Sequence, residues 1–309
     1  MRKKATSLVT GTGSRSKAKT KIILDLIKEF PETKIKDWLE IARLPKTSYY
    51  EWKIKLENQI DKDKEVKEKI KKIVKESKGR YGYRRVTLAL KDKGFKINHK
   101  KVLRIMREEK ILCTKFNRRS RKYSSYKGEV GKVAPNVVNR DFKSTRPNQL
   151  WLTDVTEFRI KGKEEKIYLS PILDVYNSEI ISYTISYHPT IELTNSMLDK
   201  ALRRVSDEDK SKLIIHSDQG FHYQHSSWSC KLEKNKIIQS MSRKGNCLDN
   251  SPMENFFGIL KQEMFYGSEF KNYKELIKEI EKYIEWYNKD RIKTKLKGMS
   301  PINYRLHSA

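Results

Sequence analysis

The pattern of hydrophobic and polar positions predicts helices in the first third of the chain. From Lys21 onward, three segments carry apolar residues at helical spacing: "KIILDLIKEF", "IKDWLEIARL" and "KTSYYEWKIKL". Pro31 and Pro45 separate these segments, and the residue before a proline is disfavoured in a helix. Three short helices with tight breaks over residues 21–60 are typical of a helix-turn-helix, although a small helical bundle has the same pattern.

A second helical unit is predicted over residues 61–113. In "KEVKEKIKKIVKES" the apolar residues share one helical face. The stretch "YGYRRVTLALKDKGFKINHKKVLRIMREEKIL" then indicates two helices, with a turn at Gly94 and an N-terminal cap at Asn98. Residues 1–20 and 114–145 show no sustained period, so we expect a disordered basic tail and a basic linker there.

From residue 146 the hydrophobic period becomes that of strands. The segments "RPNQLWLTDVTEFRI", "KIYLSPILDVYN" and "EIISYTISYH" are rich in β-branched and aromatic residues and predict an antiparallel meander. Further on, "KLIIHSD" and "IIQSMS" predict short strands that alternate with helices, and "NYKELIKEIEKYIEWYNKDR" predicts a long amphipathic helix. We therefore expect residues 146–309 to form one α/β domain, a mixed sheet flanked by helices, preceded by the all-α units.

The charge of the chain indicates a polyanionic partner. Its 309 residues include 68 Lys and Arg against 39 Asp and Glu, a formal net charge of +29. Nucleic acid is the partner that best suits such an excess. No apolar run approaches the roughly 20 residues of a membrane-spanning helix, and the polar N-terminus is unlike a signal peptide. The three cysteines form no Cys-x-x-Cys pair, so we expect a reduced, cytoplasmic protein without a structural zinc site.

Polar and basic residues of the two helical units are candidate DNA contacts. They are Lys46 and Ser48 in the first unit and Arg84, Arg85, Lys100, Lys101 and Arg104 in the second. The basic linker can lie along phosphates. Solvated charged faces and a solvated tether are the alternatives, but two basic helical units in succession favour DNA binding.

Three acidic residues that are far apart in the chain are candidates for one catalytic site. Asp154 lies mid-strand at the head of the meander, Asp218 ends the strand of "KLIIHSD", and Glu254 lies in the predicted helix "SPMENFFGILK". If the two strands are neighbours in the sheet, both aspartates reach one edge and Glu254 approaches from the helix. Carboxylates suit the hard cation Mg²⁺, and two such ions about 4 Å apart can promote displacement at a phosphodiester.

Other polar residues near these acids have simpler interpretations. We expect Asp174 to be structural, and Asp249 and Asn250 to shape the loop before the helix of Glu254. His216 either borders the site or is a structural histidine with satisfied hydrogen bonds.

These residues and their order resemble those of the DDE-type transposases and retroviral-type integrases, which share the RNase H-like fold. Within these families the chain is most similar to the OrfB product of two-reading-frame bacterial insertion sequences. Thirty-five residues separate Asp218 from Glu254, the spacing typical of this group, and Lys261 stands seven positions after Glu254, where the family keeps a basic residue. Matching stretches from about residue 30 to the end include "YGYRRVTLAL", "RPNQLWLTDVTEF", "HSDQGFHY" and "KGNCLDNSPMENFFGILKQE".

The resemblance implies a transposase that cuts the ends of an insertion sequence and joins them to target DNA. Asp154, Asp218 and Glu254 would bind two Mg²⁺ or Mn²⁺ ions, and Lys261 would contact a phosphate or end base. The helical units would recognise terminal inverted repeats, and a homo-oligomer would assemble on DNA. No leucine-zipper heptads precede Lys21, so the upstream reading-frame product, or a frameshift fusion with it, is a further expected partner. The expected location is the bacterial cytoplasm, at the nucleoid.

Two other functions stay open at this point. A DNA-binding regulator with an inactive RNase H-like domain would be expected to lose the triad and Lys261, which are intact here. A nuclease acting on RNA–DNA hybrids is disfavoured by the two helical units and by the long spacing to Glu254. A retroviral-type integrase proper usually begins with a His/Cys zinc module, whereas Cys113 and His99 are the only cysteine and histidine before the core.

Overall fold

The computed structural model describes residues 15–58, 63–116 and 133–308. One compact unit of the chain ends at Lys67 and a second begins at Glu68. In the first unit the three predicted helices are present as α1 (Arg15–Glu29), α2 (Ile35–Ile41) and α3 (Lys46–Glu57). Ile23, Leu39 and Tyr49, one from each helix, are buried together, so this unit has an apolar core of its own.

The first helix begins earlier than the sequence pattern predicts. A disordered tail is expected to residue 20, whereas α1 begins at Arg15 and Thr20 is fully buried. The Thr20 hydroxyl donates to a backbone carbonyl of the preceding turn at 2.8 Å, and Lys17 lies 6.0 Å from the centre of the Trp52 ring. Packing therefore orders a segment whose composition is polar and basic. The rest of the predicted tail, residues 1–14, lies outside the described residues.

Three further helices match the second predicted helical unit: α4 (Lys64–Glu76), α5 (Tyr83–Asp92) and α6 (His99–Glu108). Asn98 caps α6 as predicted, since its side-chain oxygen accepts the backbone N–H of Lys100 at 2.9 Å. The predicted boundary at residue 113 does not separate compact units, because the chain from Glu68 onward forms one unit with the sheet.

Contacts of the segment between α4 and α5 explain why these helices join the sheet. The Arg80 guanidinium lies 4.5 Å from the centre of the Trp286 ring. The Tyr81 hydroxyl donates to the carbonyl of Asp290 at 3.1 Å and accepts the backbone N–H of Ile292 at 3.0 Å. Tyr81 and Asp290 are 209 positions apart, so local periodicity carries no signal of this contact.

Six strands form one mixed sheet: β1 (Leu150–Thr153), β2 (Thr156–Phe158), β3 (Ile167–Asp174), β4 (Ile180–Ser186), β5 (Ile214–Ser217) and β6 (Ile238–Met241). Their order is β2–β3–β1–β5–β6, with β4 paired to β3. The strands β1, β2 and β4 pair antiparallel with β3, as the predicted meander requires. The pairs β1–β5 and β5–β6 are parallel. The predicted mixed sheet is therefore confirmed.

The helices that follow in the described chain are α7 (Ile191–Leu202), α8 (Asp207–Lys210), α9 (Phe221–Gln224), α10 (Ser226–Lys234), α11 (Ser251–Leu260), α12 (Tyr273–Lys289) and α13 (Pro301–Ser308). The helices α7 and α10 cover one face of the sheet, and α11 and α12 cover the other. Short 3₁₀ helices span Cys247–Asn250 and Thr294–Leu296, and a π-helical turn spans Lys261–Phe265. Successive strand side chains point to opposite faces, so Leu152 packs with α11 and α12 while Trp151 packs with α7 and α10. No helix within the described ranges is long and apolar enough to span a membrane.

Part of the predicted linker belongs to the sheet domain. Residues 117–132 lie outside the described residues, but Val138 is 7% exposed and packs in the apolar cluster of β1. Arg140 pairs with the buried Asp249 at 2.7 Å. The expectation of a linker is therefore wrong for residues 133–145, because an apolar residue and an ion pair fix this segment to the core.

A buried ion pair joins the π-helical turn to its surroundings. Glu263 is 1% exposed, and its two oxygens accept hydrogen bonds from Arg291 at 2.5 and 2.8 Å and from the Tyr283 hydroxyl at 2.8 Å. Arg85 of α5 lies 3.4 Å from the same carboxylate. Since the π turn continues α11 directly, this one carboxylate connects the end of α11 to α5, α12 and the segment that follows α12.

We predict that Arg291→Met lowers the free energy of unfolding by about 3–5 kcal/mol, because it leaves the Glu263 carboxylate buried without its main cation. Urea unfolding followed by tryptophan fluorescence measures this change. The matched control is Arg146→Met, whose partner Asp209 is 33% exposed; this variant should lose about 0–1 kcal/mol. Equal, small losses in both variants would show that the Glu263 cluster does not stabilise the fold.

Candidate active site at the ends of β1 and β5

Asp154 and Asp218 follow two neighbouring parallel strands at the same edge of the sheet. In the β1–β5 pair, Leu152 stands opposite His216, and each aspartate comes two residues later. Asp154 is not mid-strand as predicted but lies in the two-residue break between β1 and β2. Its Oδ1 accepts the backbone N–H of Val155 at 2.7 Å, which occupies a donor that strand pairing would need. The condition for the two aspartates to reach one edge, that their strands are neighbours in the sheet, is met.

The two aspartates lie in an environment that disfavours their charge. Burial raises the pKa of Asp154 well above its ordinary value, and the negative charges of Asp218 and Glu254 raise this pKa further. The Val155 N–H and the charge of Lys261 act in the opposite direction. Burial also raises the pKa of the Asp218 carboxyl, although its Oδ1 accepts the Gly220 N–H at 2.9 Å. Like charges therefore meet at this edge with incomplete compensation.

Two neutral hydroxyl groups, of Tyr223 and Thr153, and one histidine, His222, lie near the aspartates on their buried side. The Tyr223 hydroxyl lies 3.3 Å from Thr153 Oγ1, and Tyr223 is 1% exposed. Burial raises the pKa of Tyr223 well above its ordinary value, and the charges of Asp154 and Asp218 add to this rise. Tyr223 also packs edge-on against the Trp228 ring at 5.1 Å. The two hydroxyls do not offset the aspartate charges. The charge of His222 lowers the pKa of Asp218 but does not outweigh the effect of burial.

Glu254 approaches the aspartates from the first turn of α11, where its side chain is exposed. Asn250, which precedes the helix, is 4% exposed and donates from Nδ2 to the carbonyl of Thr153 at 3.2 Å. The start of α11 is thus attached to the residue before Asp154. Among the described residues, no three His, Cys, Asp or Glu side chains stand close enough to hold one metal ion. The full triad as a shared set of ligands stays a prediction.

Lys261 lies beside the short strand that follows Asp154. Its Nζ donates to Thr156 Oγ1 at 2.6 Å and stands 5.1 Å from the centre of the Phe158 ring. Its positive charge lowers the pKa of Asp154, which places Lys261 within electrostatic reach of the aspartates. Its predicted contact with DNA stays a prediction.

The loop before α11 is held by a buried carboxylate. Asp249 accepts hydrogen bonds from the Arg243 guanidinium at 2.8 Å, from Arg140 at 2.7 Å and from Asn136 at 3.2 Å. The hydrogen bonds of Arg243 and Arg140 hold the pKa of Asp249 well below its usual range, against the effect of burial. Asp249 and Asn250 therefore shape this loop, as predicted, but the partner Arg140 has no local sequence signal.

Two other polar residues have the structural roles that the sequence allowed. His216 is buried between Ser240 Oγ at 2.9 Å and Ser242 Oγ at 3.1 Å, so it is a structural histidine with both ring nitrogens satisfied. Asp174 is buried and pairs with Arg305 of α13 at 2.6 Å. Neither residue contributes a free carboxylate or imidazole to the edge of Asp154.

The predicted DNA contacts of the second helical unit divide into two groups. Arg84, Lys100, Lys101 and Arg104 are exposed, and Arg104 also pairs with Glu108 of its own helix. Arg85 is different, since it is turned toward the buried Glu263 and lies 5.8 Å from the Tyr81 ring. The structure thus gives Arg85 an internal partner, and the proposal of a DNA contact is kept for the exposed residues.

In the first helical unit, Lys46 and Ser48 lie in the first turn of α3. The Lys46 side chain is exposed and Ser48 is half-buried. Their DNA contacts stay predictions.

The sequence was compared with known protein families. Residues 144–247 and 254–308 match the integrase core domain family, and residues 61–120 match the HTH-like domain family. The helix-turn-helix interpretation thus has a family match for the second helical unit, while that of residues 21–60 stays a prediction.

Several relatives resemble more than two thirds of the chain. It is 45% identical over 285 residues to a putative transposase InsK for insertion sequence element IS150 of Escherichia coli (strain K12), covering 92% of this chain and 97% of the relative. It is 50% identical over 213 residues to an uncharacterized transposase-like protein of Haemophilus influenzae, covering 69% and 95%. A transposase for insertion sequence element IS904 of Lactococcus lactis subsp. lactis is 35% identical over 245 residues, covering 78% and 94%.

Solved structures with similar chains include two integrase domains. The HTLV-2 integrase catalytic core domain in complex with magnesium superposes with a TM-score of 0.41 at 17% identity, covering 53% of this chain and 99% of that one. The catalytic core domain of BIV integrase has a TM-score of 0.39 at 16% identity, covering 52% and 95%.

We predict that Asp249→Asn lowers the melting temperature at pH 7, since an amide cannot offset the charges of Arg243 and Arg140. The pKa of Asp249 is lower in the folded chain than in the unfolded chain, where it is about 3.9. Its ionised carboxylate therefore stabilises the fold above about pH 3.9, and this contribution is lost as the pH falls toward the pKa of the folded state. The difference in melting temperature between variant and parent should therefore become smaller below about pH 4. Thermal unfolding from pH 2 to 7 measures it.

Asp199→Asn is the matched control, because Asp199 pairs with Lys231 at the surface. This variant should stay close to the parent at every pH. A gap for Asp249→Asn that is independent of pH would contradict the ionic role of Asp249.

Proposed function

The chain belongs to the insertion-sequence transposases with an integrase core domain, and we propose that it cuts and joins DNA where Asp154, Asp218 and Glu254 lie. Its core is an RNase H-like mixed sheet flanked by helices, and it is a DDE-type polynucleotidyl transferase that acts on DNA. One observation carries the placement of the site. The parallel β1–β5 pair brings Asp154 and Asp218 to one edge, where burial raises the pKa of both carboxyl groups.

The residues at this edge suit divalent cations. Their donors are carboxylate oxygens, which the hard ions Mg²⁺ and Mn²⁺ prefer. Burial raises the pKa of both aspartates, and the charge of Asp218 raises that of Asp154 further, so a bound cation would stabilise their charged forms. We propose that Asp154, Asp218 and Glu254 hold two such ions. When bound, these ions would supply activation of the attacking oxygen and stabilisation of the leaving oxygen.

The protein's own groups position the DNA for two displacements. In the first, water attacks the phosphorus at the element end, the bond to the 3′ oxygen breaks, and a 3′ hydroxyl is released. In the second, that hydroxyl attacks a phosphodiester of the target, whose own 3′ oxygen leaves. Lys261, held beside Thr156, would bind a phosphate next to Asp154. Asn250 fixes the start of α11, and with it Glu254, relative to β1.

The helical units supply DNA recognition in this proposal. The exposed residues Lys46, Arg84, Lys100, Lys101 and Arg104, together with Ser48, would contact the terminal inverted repeats, while the sheet domain accepts target DNA. Because two element ends must be joined, a homo-oligomer is expected on DNA. The upstream reading-frame product, or a frameshift fusion with it, is proposed as a further partner. The proposed place of action is the bacterial cytoplasm, at the nucleoid.

We predict that Asp218→Asn abolishes Mg²⁺-dependent nicking of duplex element ends while it leaves their binding unchanged. The amide keeps the shape of the side chain but removes a charge that the site needs for a cation. Gel analysis of labelled end DNA measures nicking, and fluorescence anisotropy in EDTA measures binding. A drop of at least about 100-fold in rate, or roughly 2.7 kcal/mol, is expected.

Asp207→Asn is the control, since Asp207 is 97% exposed and, among the described residues, forms its ion pair with Lys210 of its own helix. It should nick DNA at the parental rate. Parental nicking by Asp218→Asn would end the assignment of the site, and preferential cutting of RNA–DNA hybrids by the parent would favour a hybrid nuclease.

A second prediction tests the cation site without DNA. Mg²⁺ or Mn²⁺ should raise the melting temperature of the parent, because binding to the folded state alone stabilises that state. Asp154→Asn/Asp218→Asn should melt at a higher temperature than the parent in EDTA, since two buried like charges are removed, and should not respond to either ion. Differential scanning fluorimetry measures both effects. An equal response of parent and double variant to the ions would place their binding elsewhere.

A further inference from the structure

A basic groove lies between the second helical unit and the turn that follows α12. Its volume is about 760 Å³. One wall is formed by α5 and the start of α6, with Arg84, Lys91 and His99; the other is the turn at Thr294 and Lys297. The groove therefore combines two segments about 200 positions apart in the chain.

The turn that forms the second wall is held in a fixed shape. The N–H of Lys293 donates to the carbonyl of Met299 at 3.1 Å, and the N–H of Gly298 donates to the carbonyl of Lys293 at 3.1 Å. Gly298 has a φ of +89°, and a Cβ there would lie 3.4 Å from a Leu88 methyl of α5. Glycine is thus favoured by its backbone conformation and by the close approach to Leu88. The two walls are packed together, so the groove is a built feature of this unit.

No carboxylate of the described residues forms an ion pair with the cations of the groove. Arg84, Lys91 and Lys297 are exposed, and none of them makes an ion pair with any residue that the structure describes. The Arg84 guanidinium instead lies 5.8 Å from the Tyr83 ring, and its Nε donates to the Tyr83 hydroxyl at 3.2 Å. No acidic residue is among the described residues that line the groove.

Neighbouring cations outside the groove differ in this respect. Lys93, two residues after Lys91, pairs with Glu76, and Arg104 of α6 pairs with Glu108. The absence of carboxylates from the groove is therefore local. Three cations without an ion pair among the described residues line one open groove. They suit a ligand with repeated negative charges, since a surface lysine gains little from a single small ion but several contacts add along a polyanion.

We propose that this groove binds the phosphate backbone of duplex DNA, so that the turn after α12 completes the DNA-binding face of the second helical unit. Lys100 and Lys101 are exposed on the first turn of α6, directly after His99. They extend the positive surface beyond the groove, as contact with several phosphates of a DNA backbone requires. Lys297 lies outside residues 61–120, which match the HTH-like domain family, so this contact is additional to that domain. The inference rests on the proposed function only in taking DNA as the polyanion.

The test measures binding of duplex DNA by the full chain at several salt concentrations. Each phosphate contact contributes about 0.9 to the slope of log K against log salt. Arg84→Gln/Lys297→Gln should therefore lower this slope by roughly two and weaken binding about tenfold for element-end and unrelated duplexes alike. Lys297→Gln alone should lower the slope by about one. Fluorescence anisotropy with a labelled duplex in EDTA gives these values.

The matched control is Arg203→Gln/Lys234→Gln. These residues are also exposed and make no ion pair with the described residues, and they lie at the ends of α7 and α10, on the other sheet face from α12. The control removes the same charge and should change binding less than about twofold. Arg84→Lys/Lys297→Arg keeps the charges and should bind like the parent.

Three outcomes would contradict DNA binding in the groove. They are a parental affinity and salt slope in Arg84→Gln/Lys297→Gln, an equal loss of DNA affinity in the control, or a loss of DNA affinity in the charge-keeping variant. Weakened binding of single-stranded RNA with duplex binding intact would also overturn it. Failure of the proposed function has a different readout, because it shows as persistent nicking by Asp218→Asn, whatever the groove variants bind.

Discussion

The parallel pairing of β1 with β5 is the constraint on which the candidate site depends. These strands are about 60 residues apart in the chain, and their register sets Leu152 opposite His216. The acids that follow each strand therefore leave the sheet side by side. Because β1 is also paired antiparallel with β3, it lies inside the sheet and its end cannot shift without breaking ladders on both sides. The position of Asp154 relative to Asp218 is thus fixed by backbone hydrogen bonds and not by the acids themselves.

This arrangement has an energetic cost that the rest of the site only partly offsets. Two carboxylates with raised pKa values adjoin a buried tyrosine, and the backbone N–H groups of Val155 and Gly220 each satisfy one oxygen. Lys261 supplies the nearby positive charge, at a position set by Thr156 and Phe158. A protein that needed only stability would be better served by neutral side chains at these positions. The cation binding and phosphodiester chemistry that we propose for this site would explain why the charges are retained.

Much of the fold and the candidate site residues could be predicted from the sequence. The features that the sequence did not predict share one cause. The alternation of "RPNQLWLTDVTEFRI" and the later strands predicted the mixed sheet, and the resemblance of spaced motifs predicted Asp154, Asp218 and Glu254. Local pattern did not predict the helical start at Arg15 or the packing of Val138, because tertiary contacts order those segments. It also missed the pairing of Glu263 with Arg291, which depends on the π turn after α11. Periodicity shows which residues share a face, but not which distant segment covers that face.

The neighbouring residues Arg84 and Arg85 show this limit within one helix. From the sequence alone, Arg84 and Arg85 are expected to share one solvated basic surface. Successive residues of a helix, however, point about 100° apart. Arg85 consequently turns to the buried Glu263 while Arg84 faces the open groove. The helix α5 is thereby attached, through Glu263, to the π turn that continues the helix of Glu254. Any displacement of α5 would separate Arg85 from a buried carboxylate, which is costly. The groove that we assign to DNA and the helix that carries the third acid are therefore parts of one connected framework.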